Sequence, residues 1–272
     1  MRNLAFAAAV LLLSLSCASA DSESWLISEE QEIQMGAEYH VQLLAEMPEY
    51  KGSAVVTNYV NEMGSALALN SGRPNLPYHF TVVDSDEVNA FAVMGGFVYV
   101  TTGLLKMSGS ASEVATILAH ELGHISARHG VRAMETYMIE QGLTSLLFKE
   151  GQTKELVTAA LSTLTTLTFS KDQEREADSL GVQYAAATKW NPWGIVDFFN
   201  SLEILGATSA DPDSTLSKIG ELFSTHPSNP ERISNVSTEL GQMGIAKDSP
   251  GYSYGRATED ASFANVKAIL GG

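Results

Sequence analysis

Apolar residues recur every three to four positions over most of the chain and alternate in two short stretches. Ser28-Glu-Glu-Gln31 opens an amphipathic helix through Ile33, Met35, Leu43 and Leu44 that Pro48 and Gly52 close. A second helix is predicted over Ala54 to Leu69, ended by the turn-forming residues from Asn70 to Pro77. Tyr78 to Val83 and Phe97 to Thr101 alternate as strands, with Gly95-Gly96 as the turn between Val93 and Phe97. Asn191-Pro192 caps a core helix carrying Ile195, Phe198, Phe199 and Leu202, and Phe263 to Leu270 reads as a short packed helix. The apolar but Gly-broken stretch 137–169 reads as a helical pair over a cleft, and 206–217 as a polar loop. These elements predict an α+β fold, mostly helical, with a small β-sheet.

The most regular stretch is Ser110 to Ile125. Ser110 and Glu113 have the spacing of a capping box, and Val114, Ile117, Leu118, Leu122 and Ile125 recur at helical spacing. His120 and His124 then stand one turn apart and project from the same side of the helix. Two imidazoles so placed can reach one zinc ion, and Glu121, one step round, can sit beside the metal without ligating it. There it can take a proton from water whose pKa the metal has lowered. This H-E-x-x-H arrangement points to peptide-bond hydrolysis, although two histidines on a helix can equally be satisfied core residues. Arg128 and His129 read as a continuation of the same helix, with His129 turned away from the ligand face and structural or solvent-facing.

A catalytic zinc takes three protein ligands and keeps one open position, so a third donor is required. Ser170 and Gln173 form another capping box, opening a helix with Val182 and Tyr184. Glu174 and Asp178 share one face of it. Glu174 is positioned to complete a His, His, Glu set, and Asp178 to accept the free ring N–H of a ligand histidine. The plain alternative is that acidic residues favour the first turns of a helix because of its dipole, which is the reading for Glu176.

Taken together, His120-Glu-Leu-Gly-His124 and Glu174-x-x-Ala177-Asp178 resemble the zinc metallopeptidase family that includes the HtpX-type heat-shock proteases and the CAAX prenyl-proteases. Asn89 to Leu105 resembles the segment before the zinc helix in that family. Ser224-Thr-His226-Pro227, with Arg232 beyond it, resembles its late His-Pro element. The likeness runs from about residue 25 to about 240 and is to soluble periplasmic, BepA-like members, without the helical repeats that follow there. It implies a zincin-type domain holding one zinc ion on His120, His124 and Glu174, with Glu121 as general base. It also brings His226 and Arg232 to the active site, where His226 either steadies the oxyanion or occupies the open zinc position at rest. Asn229-Pro230 allows a simpler reading of His226 as part of a helix-entry turn. Asn89, Ala90 and Phe91 are implied to line a substrate cleft, where an edge strand pairs with an extended peptide. The implied substrates are proteins or peptides, among them misfolded envelope proteins. A chaperone-like or latent zinc protein is the alternative from a different class.

Residues 1–20 read as a secretory signal: Arg2, an apolar core from Leu4 to Leu13, and Ala18-Ser19-Ala20 as the cleavage site. That leaves 21–272 as a single domain in the periplasm. Cleavage there also removes Cys17, the only cysteine, and lipid anchoring at Cys17 is disfavoured by Ser14 three residues before it. No other stretch reaches the length of a transmembrane segment. With 16 Lys and Arg against 32 Asp and Glu, the formal net charge of −16 argues against nucleic acid or an anionic membrane as partner.

Overall fold

The computed structural model describes residues 26–145, 168–208, 226 and 230–271. The segment read as a leader, most of the helical pair over 137–169 and most of the polar loop over 206–217 lie outside them. Two helices open the described chain, α1 (Glu29–Glu46) and α2 (Ala54–Ala68), followed by β1 (His79–Val83), β2 (Ala90–Val93) and β3 (Phe97–Thr101). Then come α3 (Thr102–Met107), α4 (Ala111–Ser126), α5 (His129–Glu140), α6 (Lys171–Ala187), α7 (Gly194–Thr208), α8 (Pro230–Gln242) and α9 (Ala261–Leu270). The expected mostly helical fold with a small sheet is the one observed. α7 runs on to Thr208, into the stretch expected to be loop.

The sheet has the order β1-β3-β2, with β1 parallel and β2 antiparallel to β3. The hairpin between β2 and β3 turns through Met94–Gly96, where Gly95 and Gly96 take φ of 80° and 94°. A side chain at Gly95 would also collide with the backbone of Glu32 in α1. The strands alternate between two cores. Phe80, Val82, Val98 and Val100 face a cluster with α2, α4, α6 and α7, whereas Val83, Phe97 and Tyr99 face α1 and α5. With both faces covered, β3 is buried at every position.

α4 is the axis of the larger core, buried from Ala111 through Ile125. Each buried leucine, Leu118 and Leu122 among them, contributes about 1.5–3 kcal/mol relative to exposure. Ser110 caps its N-terminus by accepting from Glu113 N–H. The reciprocal half of the expected box differs, and Ser110 lies beside Arg256 in a β-bridge in which Ala111 N–H donates to Gly255 O. The Glu113 carboxylate instead takes Gly109 N–H at 3.0 Å and the Ser110 hydroxyl at 3.2 Å.

At its other end α4 stops sooner than expected. Arg128 adopts a left-handed conformation (φ 55°, ψ 34°), and α5 starts afresh at His129. The Arg128 guanidinium is held by Ile27 O at 2.7 Å and Glu32 Oε2 at 3.2 Å. Glu32, itself buried, also receives Arg73 in a two-pronged pair and the N–H of Gly95. One carboxylate therefore ties α1, the loop before β1, the β2–β3 turn and the end of α4 together.

Candidate metal centre

α4 supplies His120, Glu121 and His124, and α6 crosses it closely enough to bring Glu174 and Asp178 alongside. Two glycines permit the approach. A Cβ on Gly123 would sit 2.7 Å from Ala177 O, and one on Gly181 would sit 2.9 Å from His120 N. The capping box at Ser170 and Gln173 fixes the start of α6, so Glu174 and Asp178 enter on its inner face, both buried. His226 comes in just before α8, and Arg232 reaches across from α8.

The donors converge. His120 Nε2 and His124 Nε2 are 3.1 Å apart, and Glu174 Oε1 lies 3.5 Å from His124 Nε2. Glu174 Oε2 is 3.6 Å from His120 Nε2. His226 Nδ1 is 3.0 Å from Glu174 Oε1 and 3.4 Å from His120 Nε2. Ligand atoms of His120, His124, Glu174 and His226 all lie within 4.8 Å of one another, and all four residues are buried. Four ligands around a metal at about 2.0–2.1 Å stand about 3.3–3.4 Å apart, close to these spacings. A carboxylate oxygen, Asp178 Oδ1, sits 2.9 Å from His120 Nδ1 and favours the proton there, which leaves the Nε2 lone pair facing the cluster. Lone pairs facing one another in a buried space call for a cation, so these residues fit a metal ion.

Arg232 organises the acidic side. It forms a fork with Asp178 (2.8 and 2.6 Å), and its Nη1 is 2.7 Å from Glu174 Oε2. Its guanidinium lies over the Phe199 ring at 4.8 Å. Burial alone would raise the pKa of Asp178, but hydrogen bonds from Arg232 and His120 hold it below the usual value. Burial acts likewise on Glu174 and is outweighed by the close approach of His124 and His226, which holds its carboxyl below the usual range. Burial lowers His124, keeping a neutral ring with a free lone pair.

Glu121 lies beside this group, 2% exposed, with Oε1 3.7 Å from His226 Nε2. Burial raises its pKa, the charges of His226 and His120 oppose that rise, and the Ala92 N–H of β2 donates to it. β2 is one of the two edge strands of the described sheet, so this edge abuts Glu121. A small cavity beside His124 is lined by Ala92, Val93, Met94, Arg128 and Phe169, among others. Asn89 is buried, Ala90 belongs to the larger core, and Phe91 stacks on Tyr99 with centroids 4.8 Å apart.

His129 departs most from expectation. It is fully buried, not solvent-facing, and its Nδ1 lies 2.8 Å from His124 Nδ1. The left-handed turn at Arg128 swings it back over a ring that a continuous helix would have carried it away from. Glu176, read as merely solvated, keeps 50% of its side chain exposed while Oε2 lies 3.2 Å from His129 Nε2. Phe169 stacks on His124 at 4.1 Å. No spacing rule within one helix signals these partners.

A central H-E-x-x-H helix beside an edge strand, with an acidic second helix, defines a peptidase-type metal centre. Residues 54–240 match peptidase family M48, and the chain belongs to that family of metallopeptidases. It is 31% identical over 256 residues to the beta-barrel assembly-enhancing protease of Yersinia pestis, covering 90% of this chain and 49% of that one. To the mitochondrial metalloendopeptidase OMA1 of Arabidopsis thaliana it is 30% identical over 167 residues, 61% of this chain and 32% of that protein. The metalloprotease YcaL of Escherichia coli K12 is 27% identical over 176 residues, 63% of this chain and 65% of YcaL. The chain spans about half the length of the beta-barrel assembly-enhancing proteases it matches. Among the described residues no helix is long and apolar enough to cross a membrane.

Proposed function

We propose that the chain is a zinc-dependent metalloendopeptidase that cleaves extracytoplasmic proteins. The observation carrying this reading is the buried convergence of His120, His124, Glu174 and His226 on one point, with Glu121 and an edge strand beside it. His120, His124 and Glu174 hold the zinc. When bound, zinc supplies Lewis acidity, polarising a carbonyl and making water acidic near neutral pH. Glu121 takes the proton of the attacking water and returns it to the leaving nitrogen; its raised pKa suits a group that must both accept and release. Asp178 holds His120 in its ligating tautomer, and Arg232 keeps both α6 carboxylates charged and aimed. The outer edge of β2, in the segment from Asn89 to Val93, receives the extended substrate by main-chain pairing.

His226 has two roles open to it. Its Nδ1 is close enough to the cluster to serve as a fourth donor, which describes a resting enzyme, while its Nε2, 3.7 Å from Glu121 Oε1, would be free to donate to an oxyanion. The secretory reading of residues 1–20 and the names of the beta-barrel assembly-enhancing relatives support a periplasmic role on misfolded envelope proteins.

The test is casein degradation by the protein beside Glu121→Gln and His226→Ala, with bound zinc quantified in all three. Cleavage by wild type, with Glu121→Gln keeping zinc but losing about 100-fold or more in rate, is the expected result. A faster His226→Ala identifies His226 as a brake, and a slower one identifies it as a participant. Zinc in all three with cleavage by none would favour a binding or chaperone-like protein. A folded wild type without zinc would sink the site.

A further inference from the structure

We propose that His129 and Glu176 form a relay that sets the tautomer of His124 and so positions it as a metal ligand. This rests on the metal-centre reading above. His124 can offer Nε2 to a metal only if its ring proton sits on Nδ1. That nitrogen lies 2.8 Å from His129 Nδ1, and only one proton fits between the two atoms. If His129 owned it, His124 would carry its proton on Nε2, pointing at Glu174 and His120, and would be lost as a ligand.

The outer end of the chain decides the direction. Glu176 Oε2 lies 3.2 Å from His129 Nε2, and a carboxylate can only accept. The His129 proton is therefore drawn to Nε2. Its Nδ1 is left as a lone pair, and this lone pair accepts from His124 Nδ1–H. Every group has one role: Glu176 accepts, His129 donates outward and accepts inward, and His124 presents Nε2 to the cluster. His120 has its own carboxylate, Asp178, for the same purpose. The two histidines of the motif are thus oriented by different means, one by a buried carboxylate and the other by an imidazole backed by a half-exposed one.

The backbone is built for this. Five residues along an unbroken helix His129 would face away from His124, and the left-handed Arg128 brings it back. Phe169 packs against both rings, with centroids 4.1 Å from His124 and 5.8 Å from His129.

Zinc affinity, measured by chelator competition on the full chain, tests the relay with wild type, His129→Phe, His129→Asn and Glu176→Ala. Thermal melting of the metal-free proteins serves as the folding control. His129→Phe keeps the ring volume without an acceptor and should bind zinc about 10–100-fold more weakly. His129→Asn places an amide oxygen near the position of Nδ1 and should recover most of that loss, a rescue that packing alone does not produce. Glu176→Ala, on a half-exposed side chain that leaves the core intact, should weaken zinc about 10-fold or less and in the same direction. Nitrogen-15 spectra of the metal-free wild type should show the His129 proton on Nε2 and the His124 proton on Nδ1. Wild-type zinc affinity in both His129→Phe and Glu176→Ala, or a His129 proton on Nδ1, would overturn the relay while leaving the metal centre standing. No zinc binding by folded wild type would overturn both.

Discussion

Gly181 of α6 is the position where a single methyl group should separate folding from metal binding. An added Cβ would lie 2.9 Å from His120 N and 3.0 Å from His120 Cα. Carbon contacts settle at about 3.5–4.0 Å, so α6 must withdraw by about 0.5–1 Å. Backbone atoms cannot swing aside as a side-chain tip would. Overpacking of this kind costs about 1–3 kcal/mol, and replacing a mid-helix glycine by alanine returns about 1 kcal/mol. The net stability loss in Gly181→Ala should therefore be about 0–2 kcal/mol, a drop of at most a few degrees in melting temperature. The metal centre should suffer more, because Glu174 and Asp178 both ride on α6 and their partners ride on α4. Zinc affinity should fall by at least about 10-fold, as when a metal's orienting groups are displaced. Chelator competition and a melting curve on the same samples read both quantities. Gly241→Ala in α8, where a Cβ would meet nothing within 4 Å, is the control and should bind zinc as wild type does. A Gly181→Ala protein that binds zinc like wild type and melts higher would refute the claim that this glycine sets the distance between the two helices.

Arg232→Leu should leave the Glu174 and Asp178 carboxylates buried without their guanidinium; we expect a loss of about 3–5 kcal/mol in urea unfolding of the metal-free protein, and a loss under 1 kcal/mol would contradict the ion-pair geometry. Zinc at about 1,000-fold over its dissociation constant should stabilise the fold by about 4 kcal/mol, so a chelator should lower the melting temperature, and it should not in Glu174→Gln. The pH dependence follows from Asp178, whose folded pKa is held below its unfolded value of about 3.9. Its contribution is fully present above that value and is lost as pH falls through the folded one. The stability gap between metal-free wild type and Asp178→Asn should be flat from about pH 7 to 5 and narrow below about pH 4. A gap that widened on acidification would reverse the assigned sign.

Local patterns were legible wherever neighbours along the chain decide the outcome. The capping box at Ser170 forms as read, and the helix opened by Ser28 starts where it was placed, because each needs only residues three apart. The strand from Phe97 to Thr101 and the glycine turn before it also stand where alternation and backbone freedom put them. The readings that changed involve distant partners. Ser110 makes only half its box, at a helix start whose Ala111 and Ser112 N–H groups donate to Gly255 and Tyr254 far along the chain. Ala92 is the β2 residue whose backbone reaches Glu121, a placement that the register with β3 sets.

By itself the sequence determined that His120 and His124 share a face, that Glu121 stands beside them, and that Glu174 and Asp178 form a second acidic face. Those are consequences of helical periodicity, which depends on spacing alone. Tertiary structure alone decided that the two faces meet, since their approach depends on Gly123 and Gly181 lying against backbone atoms of the other helix. It alone also turned His129 inward, through a left-handed Arg128 pinned by Glu32 from a helix almost a hundred residues earlier. Periodicity acts through bonded neighbours, whereas these contacts are set by packing between segments far apart in the chain, and no local spacing encodes them.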